Sequence, residues 1–331
     1  MNANLLHILN EYKVNIIQII NDTSSKLNMC VKQIYVINLK EDICKRNYIY
    51  VLFKKYKINY NLIIVDIVKP NTYRKICGDN KISVSELGCC LSHMWCLTHI
   101  LKNKFENAII FEDDIILSKK FIESFISIYE KNPKLDFLML GAHDLNFSKQ
   151  HFKNVKNNLY RPNNNTKIYG AHANFYSLNG VKRIFYIRAT NLSFFDNEYN
   201  LLFDTLPNSY ICYPNLALSN VSESRINHEK KILSTNETGY YSACFTKLNL
   251  NNYNFIYINL LDLSYLEPDD TTDTFVDRCL SKLFNDFEKI QLIKKRFTLD
   301  FFTIDDIKDI LSVHTLITPN NLSKKCIGEH V

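Results

Sequence analysis

The chain has 331 residues, 46% hydrophobic and 22% charged, the balance of a folded globular protein, which excludes a disordered, collagen-like or disulfide-scaffold chain. At roughly 100–200 residues per domain it holds one large domain, or one with a smaller companion. Lys+Arg of 40 against Asp+Glu of 34 gives a net +6 with no basic block. An Asn-, Lys-, Ile- and Tyr-rich composition accounts for that surplus, so no nucleic-acid partner is expected.

From the N-terminus, residues 1–21 interrupt their Leu and Ile positions with His7, Glu11, Lys13 and Gln18. This predicts an amphipathic helix in a separate N-terminal segment, residues 1–30. The interruptions do not suit a signal peptide. No run in the chain reaches the ~18 apolar residues of a membrane span, so no transmembrane segment is expected. The 10 cysteines form no CxxC pair and no metal-ligand spacing. They read as reduced thiols, and the chain as cytoplasmic.

β-rich and helical runs then alternate. A strand over 33–39 ends at the charged Lys40-Glu41-Asp42, a helix follows over 42–56, and a second strand covers 62–66. Ser83 and Glu86 form a capping box that opens a helix to about 102. A short apolar strand over 108–111 runs into Glu112-Asp113-Asp114. Ser118 caps a helix to about 130, and 135–140 is another buried strand. This order predicts an α/β fold, a mostly parallel sheet with helices on both faces, whose ligands sit at the carboxyl ends of the strands.

Residues 154–165 are polar and Asn-rich and read as a surface loop. A strand over 167–176, a helix capped by Ser177, a helix over 196–206 and a strand over 210–213 follow. We therefore expect one domain over 31–229. Beyond it, a strand over 255–263 and helices over 274–297 and from 303 suggest an α-rich extension over 230–331. That extension either completes the core or forms an acceptor lobe or homo-oligomer interface. The acidic cluster Asp269-Asp270-Thr271-Thr272-Asp273 reads as the cap of the helix after it.

The acidic triplet is the sharpest chemical feature. Strand alternation places Glu112 and Asp114 on one side and Asp113 on the other. Two same-side carboxylates suit Mg²⁺ or Mn²⁺, hard ions that take oxygen ligands and neutralise phosphates. Spacing alone leaves a solvated acidic turn equally open.

Four stretches in order resemble the family 25 glycosyltransferases, which include lipooligosaccharide and procollagen galactosyltransferases. They are Val36-Ile37-Asn38-Leu39, the Ser85-Glu86-Leu87-Gly88-Cys89-Cys90-Leu91-Ser92-His93 helix, Ile110-Phe111-Glu112-Asp113-Asp114, and Gly170-Ala171-His172-Ala173 through Gly180. Looser matches follow at Phe195-Asp196, Phe203-Asp204 and Tyr213-Pro214. The resemblance implies a GT-A-like (Rossmann-like) fold, a nucleotide-sugar donor and an inverting mechanism. The Arg-rich stretch that the family carries after Asn38-Leu39 is here Lys40 to Arg46, of which Arg46 alone is expected to keep the role. Val221-Ser222-Glu223-Ser224 lacks the aspartates of the collagen-type enzymes, which argues against a collagen-like acceptor.

Under this resemblance Glu112 and Asp114 are the expected metal ligands for Mn²⁺ or Mg²⁺. Asp113, Asn38, Asp66, His93 and His172 are the expected donor-binding residues, the two histidines being open to a purely structural reading. Asp196 is the expected general base, or else an ordinary helix N-cap, with Glu198 and Asp204 as substitutes. The expected reaction moves a hexose, galactose before glucose, from UDP-galactose or UDP-glucose to a hydroxyl of a glycan or protein acceptor. A degenerate transferase fold acting as a binding or scaffold module is the alternative.

Overall fold

The computed structural model describes Leu9 and residues 12–219 except 70–71, 74–81, 143–151, 157, 164–165, 167, 191–194 and 196–198. Asp196, Glu198, the 269–273 cluster and every element expected past 229 lie outside the described residues. The strands are β1 (Val14–Ile19), β2 (Gln33–Leu39), β3 (Tyr60–Val65), β4 (Asn107–Glu112), β5 (Ile115–Leu117), β6 (Phe137–Met139), β7 (Phe152–Lys156), β8 (Leu159–Pro162), β9 (Ala173–Ser177), β10 (Ser209–Cys212) and β11 (Ala217–Ser219). The helices are α1 (Lys26–Cys30), α2 (Ile43–Lys55), α3 (Val84–Asn103), α4 (Phe121–Lys131), α5 (Leu178–Thr190) and α6 (Tyr199–Thr205).

Nine strands form one sheet in the order β1-β3-β2-β4-β9-β6-β10-β8-β7, and β5 pairs with β11 in a second, two-stranded one. Six of the nine point the same way; β1, β8 and β9 oppose them. This is the mostly parallel, helix-flanked sheet that the element order predicts. Helices α2 and α3 make the crossovers that parallel pairing of β2, β3 and β4 requires.

Alternation along the central strands separates two cores. Tyr35 and Ile37 of β2, Ile63 and Val65 of β3, and Ala108 and Ile110 of β4 pack with Leu87, Leu91 and Met94 of α3 and with α5 and α6. Ile34 and Val36, Leu62 and Ile64, and Ile109 and Phe111 pack on the other face with Tyr48, Leu52 and Phe53 of α2 and with α4. Near-continuous apolar runs in these strands reflect burial on both faces. The expected capping box closes α3: Ser83 Oγ accepts from Glu86 N at 3.2 Å, and Glu86 Oε2 accepts from Ser83 N at 2.7 Å.

Three expectations are corrected. Residues 14–19 are a strand, not part of a helix, and pair antiparallel with β3 along its whole length. Ile16, Ile17 and Ile19 satisfy helical and extended spacing alike over so short a run, and the open edge of β3 decides between them. The sheet therefore begins before residue 31. The expected loop over 154–165 contains most of a β7–β8 hairpin, in which Asn158 adopts φ 66° at the turn, a left-handed conformation that Asn tolerates. β7 is the edge strand with its side chains mostly exposed and β8 beside it is mostly half-buried, which removes the apolar alternation. The strand expected over 167–176 begins only at Ala173. The short β5 and β11 carry no sequence signal of their own and pair with each other.

Candidate active site

At the carboxyl ends of β2, β3 and β4 a cleft opens against the first turns of α2 and α3. Its lining includes Tyr12, Leu39, Asp42, Lys45, Asp66, Val68, Ser85, Gly88, Cys89, His93 and the triplet Glu112-Asp113-Asp114. The site thus falls where an α/β sheet places a ligand. Among the described lining residues stand five carboxylates, one lysine and one histidine.

The triplet obeys strand alternation for two residues and then leaves it. Glu112 continues the face of Ala108 and Ile110 and meets α3, where His93 Nε2 lies 3.0 Å and Cys89 Sγ 3.4 Å from Glu112 Oε1. Burial would raise its carboxyl, but the His93 hydrogen bond and charge, helped by His172 and Cys89, outweigh that and hold it below the usual carboxylate range. Asp113 continues the opposite face. Its Oδ2 accepts from Asn38 Nδ2 at 2.7 Å, and Lys45 Nζ stands 3.7 Å from its Oδ1. Burial raises its pKa against the pull of both partners.

Asp114 lies in the turn between β4 and β5, so alternation does not place it beside Glu112. A hydrogen bond of 3.0 Å from Ser219 Oγ in β11 holds its Oδ2. Its Oδ1 is buried with no hydrogen-bond partner. Burial and the neighbouring charges of Glu112 and Asp113 push this carboxyl up to about 7, although Lys45 and the Ser219 hydrogen bond pull the other way. A divalent cation fits such a place, because it supplies the missing partner of Oδ1 and compensates crowded anions.

The remaining expected residues divide. Asp66 lines the cleft, half-exposed, with Lys40 Nζ 3.5 Å from its carboxylate. His93 is enclosed within α3 yet borders the cleft, and its ring stacks on Phe195 with centroids 4.4 Å apart. Asn38 does not reach the cleft. It is fully buried, with its amide donating to Asp113 and to Asp42 O and its Oδ1 accepting from Arg46 Nε at 2.8 Å. Its contribution is the placement of Asp113. His172 is likewise buried away from the lining, with Nε2 3.4 Å from Ala217 O, and burial lowers its pKa against the charge of Glu112. Asp204 lies on exposed α6 surface, also outside the lining.

The basic stretch also resolves differently from expectation. Arg46 is buried, bonded to Asn38 and to Lys40 O, and braces the site from behind. Lys45 is the lysine of the cleft. On α2 one residue's difference is a rotation of about 100°, and the sequence shows no inward face there because α2 has little apolar contrast. Tyr12 is a second residue that the sequence does not signal. Its hydroxyl lies 3.1 Å from Ser92 Oγ, and burial pushes its pKa up to about 12. Cys89, His93 and Glu112 also form a compact ligand set that sequence spacing cannot reveal, since one member comes from a strand 19 residues after His93.

The model for glycosyltransferase family 25, described as LPS biosynthesis proteins, matches residues 31–185. Over those residues the chain is similar to the family 25 glycosyltransferases. The matched region, just under half of the chain, contains the cleft's acidic triplet and both crossover helices, so the similarity to glycosyltransferases covers the site itself. No curated protein matches the chain. Among solved structures, it resembles a glycosyltransferase involved in glycosylation of the major capsid of PBCV-1, at 15% identity over 60% of this chain and 98% of that one, with a TM-score of 0.34. It also resembles A197 from STIV, at 13% identity over 54% of this chain and 81% of that one, with a TM-score of 0.29. No described helix is long and apolar enough to cross a membrane.

Proposed function

We propose that this chain is a family 25 glycosyltransferase that transfers a hexose, galactose in first place and glucose in second, from a UDP-sugar to a hydroxyl of a glycan or protein acceptor, with inversion. The observation that carries this reading is the charge of the cleft. Five carboxylates face one lysine among its described lining residues, so an anionic diphosphate enters only together with a compensating cation. Asp114, with its unpartnered Oδ1, and Glu112 are the ligands we assign to Mn²⁺ or Mg²⁺. That ion supplies electrostatic compensation for the charge that collects on the departing nucleotide.

The chain's own residues do the rest. Asp113, fixed by Asn38 and Lys45, is set to accept hydrogen bonds from the ribose or sugar hydroxyls. Lys45 offers its ammonium to the diphosphate. Asp66 at the end of β3 and the apolar wall of Leu39 and Val68 suit the nucleoside. Asp196 remains our choice of general base; it follows Phe195, the residue stacked on His93. It takes the proton of the acceptor hydroxyl as that oxygen attacks the anomeric carbon. The bond from that carbon to the diphosphate oxygen breaks on the opposite face, and UDP leaves with the electron pair.

Cys30, Cys89, Cys90, Cys96 and Cys212 are free thiols, which supports a reducing compartment such as the cytoplasm. We retain residues 230–331 as a separate extension and as the place for any homo-oligomer contact. A donor screen tests the function directly. UDP release from UDP-galactose, then UDP-glucose, is expected only with Mn²⁺ or Mg²⁺, whereas metal-independent release or none from any UDP-sugar contradicts the reading.

A further inference from the structure

Cys89 and His93 stand one turn apart on α3, so they face the same direction. Both point at one atom, Glu112 Oε1, from 3.4 Å and 3.0 Å. The sulfur, the nitrogen and the carboxylate oxygen all lie within 4.8 Å of one another. A tetrahedral zinc ion, with bonds of about 2.0–2.3 Å, spaces its ligand atoms about 3.2–3.6 Å apart, so modest side-chain shifts close this set around an ion. The ring of His93 is already immobilised by its stack on Phe195, and its buried Nδ1 has no hydrogen-bond partner. The ring therefore acts on the cluster through Nε2 alone. All three residues border the cleft, which leaves a fourth coordination position open to it.

The donor chemistry of this set differs from that of the proposed donor site. Mg²⁺ and Mn²⁺ prefer oxygen ligands alone, whereas thiolate, imidazole and carboxylate together select zinc and its neighbours. We propose that Cys89, His93 and Glu112 form a binding site for a zinc-class divalent ion, and that an ion held there withdraws Glu112 from the Mn²⁺ or Mg²⁺ of the donor. The first half stands on the geometry alone; the second rests on the function proposed above. Binding displaces the Cys89 thiol proton and the proton that lies between His93 Nε2 and Glu112 Oε1, and leaves the redox state of every partner unchanged.

The test uses the full chain, stripped of metal and without nucleotide, titrated with Co²⁺ as a spectroscopic substitute for Zn²⁺. A thiolate-to-cobalt charge-transfer absorption is expected, saturating at one ion and abolished when Zn²⁺ is added. Cys89→Ser, a one-atom change at a half-buried position, is expected to lose the absorption with an unchanged melting temperature. Cys30→Ser, at a half-buried thiol outside the cluster, is expected to keep it. Glu112→Gln is expected to weaken Co²⁺ binding at least about tenfold. A wild-type chain without the absorption, or a Cys89→Ser chain that retains it, overturns the site. For the second half, Mn²⁺ binding is followed by its paramagnetic signal. Zn²⁺ is expected to weaken it in the wild type and to leave it unchanged in Cys89→Ser; equal Mn²⁺ binding with and without Zn²⁺ in the wild type overturns the competition. Failure of Mn²⁺ to bind even without Zn²⁺ contradicts the donor-site reading instead, and the cobalt absorption still decides the zinc-class site.

Discussion

Asn38 Nδ2 donates to Asp113 Oδ2 at 2.7 Å across 75 residues of sequence. The bond joins the end of β2 to the end of β4 and continues through Asn38 Oδ1 to Arg46 on α2. A fully buried amide with both ends occupied has no freedom left for a ligand. Its function is to hold Asp113 in one orientation while Lys45 approaches from the same helix as Arg46.

Asn38→Ala removes the buried hydrogen-bond partner of Asp113 Oδ2 and of Arg46 Nε. The cost is about 1–3 kcal/mol of stability, the penalty for unsatisfied buried groups. Urea denaturation is expected to show that loss, and calorimetry with UDP and Mn²⁺ is expected to show weaker binding as well. Loss of stability with unchanged UDP binding would separate Asn38 from the site.

Gly88 offers a prediction of the opposite stability sign. A Cβ built on it meets only Val68 Cγ2, at 3.6 Å, which is ordinary contact. The residue sits inside α3 and lines the cleft. Gly88→Ala is therefore expected to stabilise the protein by about 0.5–1 kcal/mol while narrowing the space for donor. Thermal melts and UDP binding check the two halves separately: a higher melting temperature with weaker binding is expected.

Lys45 competes with any cation for the acidic triplet and attracts the diphosphate. Replacing it by Met is expected to strengthen Mn²⁺ binding in the absence of nucleotide and to raise the donor KM several-fold. Opposite movement of the two quantities is the signature. If both weaken together, Lys45 is only a structural prop.

The raised pKa of Asp114 sets a pH dependence whose sign can be worked out. Its carboxyl is pushed from an ordinary 3.8 to about 7 by burial and neighbouring carboxylates. Between about pH 4 and 7 the folded chain retains a proton that the unfolded chain has lost, so this group makes the metal-free protein less stable as pH rises through that window. Metal must displace the same proton, so Mn²⁺ affinity is expected to rise with pH up to about 7 and to level off above it. In Asp114→Asn both trends are expected to flatten, which pH-resolved melts and Mn²⁺ titrations would reveal.

The sequence was most legible where local chemistry and burial agree. The capping box at Ser83 and Glu86 announces α3, and apolar runs bounded by charge announce β2 and β4. Position at the strand ends then brings Glu112, Asp113 and Asp66 to the cleft without further information. Less was legible where the deciding partner is distant. Residues 14–19 become a strand only because β3 offers an open edge, and the β7–β8 hairpin lies at a solvated edge that hides its alternation. Asn38 looks like a ligand-facing strand end until Arg46 and Asp113 occupy it, and Asp114 depends on Ser219, 105 residues away. Helix rotation decides that Lys45 rather than Arg46 faces the cleft.

Asp114 carries the central claim, because its buried Oδ1 has no hydrogen-bond partner and its ionisation is opposed by the surrounding carboxylates. The most direct measurement is UDP release from the preferred UDP-sugar by the wild type and by Asp114→Asn, each with and without Mn²⁺. Metal-dependent release is expected from the wild type, and its loss from a variant that melts at or above the wild-type temperature. Full metal-dependent release by Asp114→Asn would contradict that claim.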